Sequence, residues 1–217
     1  MVMADPPIRL DIYSDPICPW CFIGKRRLAR ALAERPSLAV QIRWRPFQLN
    51  PDMPAEGMDR QHYLATKFGG ADNAARVYET VAHHGAAEDL PFAFDRIART
   101  PNTLAAHQLI AWANDRGDPD PLVERLFRTY FFEGQDLGEP TVLAQAAAEA
   151  GLDRAAAEAT LADTELRAQV AAADAEARAA GLQGVPTFVV NDAYAVSGAQ
   201  EPKVLLRLFD LGQNPTK

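Results

Sequence analysis

The chain has 217 residues, 48% of them hydrophobic, and a formal net charge of -7, enough to bury the core of one large domain or of a domain carrying a sizeable insertion. An acidic balance with no basic run argues against a nucleic-acid surface. No apolar stretch is long enough to cross a bilayer, and Met1 to Pro7 carry neither the charged nor the apolar region of a signal peptide, so a cytoplasmic protein is expected.

The first predicted element is a strand, because Ile8-Arg9-Leu10-Asp11-Ile12-Tyr13 alternates apolar and polar with period two. A helix follows, with Phe22, Ile23, Leu28, Ala29 and Leu32 at helical spacing until Pro36 stops the run. Between them stands Cys18-Pro19-Trp20-Cys21, which holds the only two cysteines of the chain. A thiol at a helix N-terminus faces unpaired N–H groups and the positive end of the macrodipole, which favour thiolate. Cys18 is therefore the expected attacking thiolate and the more exposed of the two. Cys21, one turn further in, is the expected resolving thiol. Pro19 brings no N–H to the sulfur and Trp20 offers a flat apolar face, so both should shape the site.

In a reducing compartment a Cys-X-X-Cys pair reads as catalytic or metal-binding. Zinc needs four ligands and no further cysteine exists. His62 and His107 stand alone, while His83 and His84 would project about 100° apart on a helix. A redox pair without a metal is the expectation. Asp15 reads as the residue of an Asp-Pro turn, the alternative being a buried proton relay for Cys21. Lys25, Arg26 and Arg27 read as a solvated helix face.

Residues Ala39 to Phe47 alternate again and predict a second strand, parallel to the first because a helix separates them. Pro46 places its end at a bulge or a sheet edge. The breaker cluster Asn50 to Gly57 is the expected domain boundary. Helical spacing then covers 58–68 and 72–84, with Gly69-Gly70 between. After an extended connector at Leu90 to Asp95, it resumes after Pro101-Asn102 to about Asp115, and then over 121–132, 141–150 and 153–161. His107 is expected to be a core histidine rather than a base. Trp112, Phe127, Tyr130, Phe131 and Phe132 are expected in the core of this helical block.

A further helix spans Asp163 to Ala180, where Asp163–Arg167 and Asp174–Arg178 pairs suggest a solvated face. Thr187-Phe188-Val189-Val190, a turn at Asn191-Asp192, and Tyr194 to Ser197 predict an antiparallel hairpin. Glu201-Pro202 opens a last helix that Gly212 ends. Without the helical block, a compact βαβ–αββα unit remains.

That order resembles the thioredoxin fold, and more closely its DsbA branch, in which a helical domain interrupts the fold. Asp15-Pro-Ile-Cys-Pro-Trp-Cys21, Gly184-Val-Pro-Thr-Phe188 and Val196-Ser-Gly-Ala-Gln200 are together similar to the cytosolic FrnE-like dithiol-disulfide oxidoreductases. The resemblance implies an α/β thioredoxin fold with a large all-helical insertion: 1-50 and 163-217 forming the thioredoxin domain, 51-162 the insertion. It also implies that Val185-Pro186 is a cis step facing the cysteines, with the backbone of Val185 free to pair with an extended substrate.

The implied partner is a disulfide- or thiol-containing protein or glutathione, with no tightly bound cofactor and glutathione as a candidate co-substrate. A homodimer is left open. Glutathione-dependent relatives, the kappa-class transferases and 2-hydroxychromene-2-carboxylate isomerases, use a serine at the first cysteine position. Cysteines at both positions make disulfide exchange the expected activity. An isomerase or transferase is the alternative, and a chaperone-like binding module a third reading.

Overall fold

A computed structural model describes residues 7–213. Strand β1 (Ile8–Ser14) lies inside a four-stranded sheet of order β2-β1-β5-β6. It pairs in parallel with β2 (Val40–Pro46), Ile8 opposite Val40 through Ser14 opposite Pro46. On its other side it pairs antiparallel with β5 (Thr187–Val190), which turns at Asn191 and Asp192 into β6 (Tyr194–Ser197). Both turn residues have positive φ, which Asn and Asp tolerate better than most. Pro46 closes edge strand β2, where its missing N–H leaves no ladder bond unmade.

Ile8, Leu10 and Ile12 of β1, Trp44 of β2, and Phe188 and Val190 of β5 are buried, as are Phe22, Ile23 and Leu28 of helix α1 (Pro19–Ala33). Helix α9 (Pro202–Gln213) adds Leu205, Leu208 and Phe209 to the same core. The hydrophobic alternation of β1 thus sets its register against both neighbours, because a one-residue slip would expose every one of its core side chains.

Between the halves of this unit run α2 (Arg60–Phe68), α3 (Ala71–Ala86), α4 (Leu104–Asn114), α5 (Asp120–Phe131), α6 (Pro140–Glu149) and α7 (Arg154–Ala162). Helix α8 (Thr164–Ala179) returns the chain to the sheet and packs on β2. A two-residue ladder, β3 (Met58–Asp59) with β4 (Arg99–Thr100), braces the block and delays the start of α2 to Arg60. Two residues carry no period, so the helical spacing from Met58 conceals it. Gly57 is required beside it: φ is +71°, and a Cβ would lie 2.7 Å from the Thr100 carbonyl.

The basic face of α1 is not solvated. Lys25 reaches Asp120 at 2.8 Å and Glu124 at 3.1 Å, Arg26 grips Glu124 with two bonds, and Arg27 meets Glu88 at 2.8 Å and Glu201 at 2.9 Å. These cations dock α1 onto α5, onto the chain after α3 and onto the start of α9. Phe22 completes the joint, stacking on Phe127 with centroids 4.8 Å apart.

Glu88 is buried and also accepts from Arg30. Removing one partner of a buried ion pair strands the other's charge. Glu88→Ala is therefore expected to destabilise the chain by about 3 kcal/mol in urea unfolding. Arg27→Met combined with Glu88→Leu should recover most of that loss; no recovery would mean that packing, not charge, is at stake.

The expected solvated face of α8 is also corrected. Asp163 caps the helix by accepting from the N–H groups of Glu165 and Leu166. Asp174 is buried, pairs with Arg178 at 3.2 Å and accepts from the Gln48 N–H at 2.8 Å. Arg178 covers the Phe47 ring at 4.1 Å. The pair clamps the segment after β2, which borders the cysteines.

Candidate active site

Strand β1 delivers Ser14 and Asp15, and a turn closed by the Cys18 N–H on the Asp15 carbonyl (2.9 Å) hands the chain to α1. Cys18 is the N-cap residue, with extended backbone, and Pro19 follows at the first helical position. Both cysteines are free thiols, one helical turn apart at the head of α1. Burial, reinforced by the Cys18 sulfur beside it, pushes the Cys21 thiol well above its usual range, against the opposing influence of the Ser14 hydroxyl and the Asp15 N–H.

Cys18 lies at the wall of a cavity of about 240 Å³ that Cys21 does not reach. Cys18 is 4% exposed against 1% for Cys21, so it is the more exposed of the two, as expected, although both are buried. Helices α2 and α3 roof Cys18 with Tyr63, Lys67, Phe68, Val77, Tyr78 and Val81. The difference between the thiols is one of access to this cavity, not of open surface. Trp20 forms part of the wall and packs against His84, 5.2 Å between ring centroids.

The Val185 carbonyl accepts from the Cys18 thiol at 3.7 Å, and the Val185–Pro186 bond is cis. Gly24 lets this loop approach α1, since a Cβ there would stand 3.0 Å from Pro186 Cγ. A glycine inside a helix costs about 1 kcal/mol relative to alanine. That cost was the one sequence signal pointing to a close approach at this position.

Asp15 is a turn residue and fully buried. One carboxyl oxygen accepts from the Ile17 N–H at 3.3 Å, the other from Leu49 at 2.6 Å. Burial raises its pKa to about 7, against those bonds and one from Thr103. His107 is a core histidine whose Nε2 sits 3.8 Å from Asp15 without a hydrogen-bond partner. Burial lowers its pKa to about 4, so the two face each other uncharged over most of the interval between those values. The distance alone would suggest an ion pair. Desolvation of both groups argues against it.

The helical-block aromatics Trp112, Phe127, Tyr130, Phe131 and Phe132 are core and stay out of the cavity; Tyr63, Phe68 and Tyr78 take that place. Asn50 and Pro51 border a second cavity of about 410 Å³ that shares Leu49, Tyr63 and Lys67 with the first. Among the described residues, no group of three or more His, Cys, Asp or Glu is placed to hold a metal ion. Among them, too, no helix is long and apolar enough to cross a membrane.

A family model described as the DSBA-like thioredoxin domain matches residues 9–210. A Bacillus subtilis (strain 168) relative, known as uncharacterized protein YwbO, is 25% identical over 186 residues, covering 85% of this chain and 88% of its own. The crystal structure of a probable DsbA oxidoreductase from Streptomyces coelicolor is 30% identical, with a TM-score of 0.85 over 97% of this chain and 92% of that one. Cytosolic disulfide reductase DsbM from Pseudomonas aeruginosa, solved with GSH, shares the fold at 23% identity and TM-score 0.60, covering 93% of this chain and 94% of its own.

Proposed function

The chain belongs to the DSBA-like thioredoxin domain family, and from that premise we propose that it is a thiol-disulfide oxidoreductase working through Cys18 and Cys21. The observation that supports this reading is a pair of free thiols at the head of α1, only the outer of which lines a cavity.

In the reduced enzyme the Cys18 thiolate attacks one sulfur of a substrate disulfide. A Cys18–substrate bond forms, the substrate sulfur–sulfur bond breaks, and the other half leaves as a thiolate that takes up a proton. Cys21, on losing its proton, attacks Cys18; their disulfide closes and the second half departs. Two electrons pass to the substrate. A thiol reductant, with glutathione the candidate, returns them, and the reverse sequence oxidises a substrate dithiol. No tightly bound cofactor is needed, because the sulfurs carry the electrons.

Trp20 and Pro19 shape the approach to Cys18, while Val185 and Pro186 form the edge beside it. Asp15, the buried carboxyl of the turn that leads into Cys18, is the proposed proton acceptor for the resolving step. The proposed compartment is the cytoplasm, where a thiol pool is at hand.

Cys21→Ser separates this reaction from a one-thiol isomerisation. Catalytic turnover of a small disulfide such as 2-hydroxyethyl disulfide should be lost in that variant. Turnover equal to that of the parent chain would sink the proposal.

A further inference from the structure

The cations of α1 are matched by Asp120, Glu124 and Glu88. Arg60, the first residue of α2, is different. It is 6% exposed, yet its guanidinium meets only hydroxyls: Thr100 at 3.2 Å, Tyr130 at 3.3 Å and Tyr78 at 2.6 Å. It also lies over the rings of Tyr78, at 5.0 Å, and Tyr63, at 5.7 Å. Among the described residues no carboxylate pairs with it, and its Nε donates to no protein acceptor. Neutral partners orient a cation without neutralising it, and an uncompensated buried charge is costly. A fold that keeps one in a cavity wall has a place ready for an anion.

Arg60 belongs to the wall of the same cavity as Cys18. So does Lys67, two turns along α2, whose ammonium bonds the Asn50 side chain at 3.1 Å and lies 5.2 Å from the Tyr63 ring. No acidic side chain lines this cavity. In a chain of net charge -7, that is a local reversal of sign, and a low-dielectric wall concentrates its field. The remaining wall is largely apolar, with Ile17, Trp20, Val77 and Val81.

We propose that Arg60 and Lys67 form an anion subsite beside Cys18, and that the site takes a low-molecular-weight disulfide or thiol whose carboxylate is held there while its sulfur meets Cys18. The substrate class rests on the thiol-disulfide reading; the subsite itself can be tested without any disulfide turnover.

The test is the alkylation rate of Cys18 in the reduced full-length chain, with iodoacetate as the anionic probe and iodoacetamide as its neutral counterpart, and the site assigned by peptide mass spectrometry. The ratio of the two rate constants should exceed that of free cysteine by about tenfold or more. Arg60→Met and Lys67→Gln should each lower the ratio by about threefold or more. Lys67 is exposed, so its variant keeps the test decisive should Arg60→Met fail to fold. A ratio at or below that of free cysteine overturns the subsite. So does a ratio that the variants leave unchanged, or a Cys18 that neither reagent modifies. A normal ratio in a chain that still turns over disulfides removes the subsite alone, whereas an elevated ratio without turnover removes the redox reading alone.

Discussion

Replacing Cys18 with serine is expected to lower disulfide exchange by about 10³-fold or more while the fold persists. Serine is close in size, and its hydroxyl can donate to the Val185 carbonyl as the thiol does at 3.7 Å. It cannot form the mixed disulfide. Cys21 does not line the cavity and is 1% exposed, so it should not substitute as the entry point. The check is steady-state reduction of 2-hydroxyethyl disulfide beside circular dichroism of both proteins. Activity within tenfold of the parent in a folded variant would contradict the assignment.

Asp15 carries the second large effect. An unfolded aspartate titrates near 3.8, and burial raises the folded value to about 7. Between those pH values the folded chain holds a proton that the unfolded chain has released, so stability falls as pH rises through the window. At roughly 1.4 kcal/mol per pH unit, the loss amounts to about 4 kcal/mol by pH 8. His107 has the opposite sign: its folded value of about 4 lies below the 6.5 of a free histidine, so it adds stability as pH rises from 4 to 6.5. That contribution is common to the parent and to Asp15→Asn, and it cancels in their difference. The variant loses an acceptor for Ile17 or Leu49 at every pH, a constant offset. Urea unfolding at pH 5 and pH 8 should show the parent losing stability relative to Asp15→Asn; a difference that does not move with pH would place the carboxyl in contact with water.

The strand, helix and hairpin order was legible because each segment satisfies one period, and β1 is the clearest example, with core and exposed positions alternating along its length. The cysteine pair was legible because only two such residues exist and they share one helical turn. What escaped depends on contacts between segments far apart in the chain. Lys25, Arg26 and Arg27 look like any solvated basic stretch until Asp120, Glu124 and Glu88 are folded against them. Asp174 repeats an ordinary i to i+4 pair with Arg178, and only the packing of α8 against the segment after β2 buries it.

The depth of Cys18 was hidden for the same reason, since its roof comes from α2 and α3 and no property of residues 18 to 21 announces it. Arg60 and Lys67 give no sequence signal at all. They stand on a helix that also carries Gln61, His62 and Thr66, so their common position toward the cysteines emerges only from the docking of α2.

The most direct measurement is the mass of the Cys21→Ser chain after incubation with 2-hydroxyethyl disulfide under non-reducing conditions. The account predicts one added 2-mercaptoethanol half, located by peptide mapping on Cys18 and released by dithiothreitol. An unmodified Cys18 in the folded variant would contradict it.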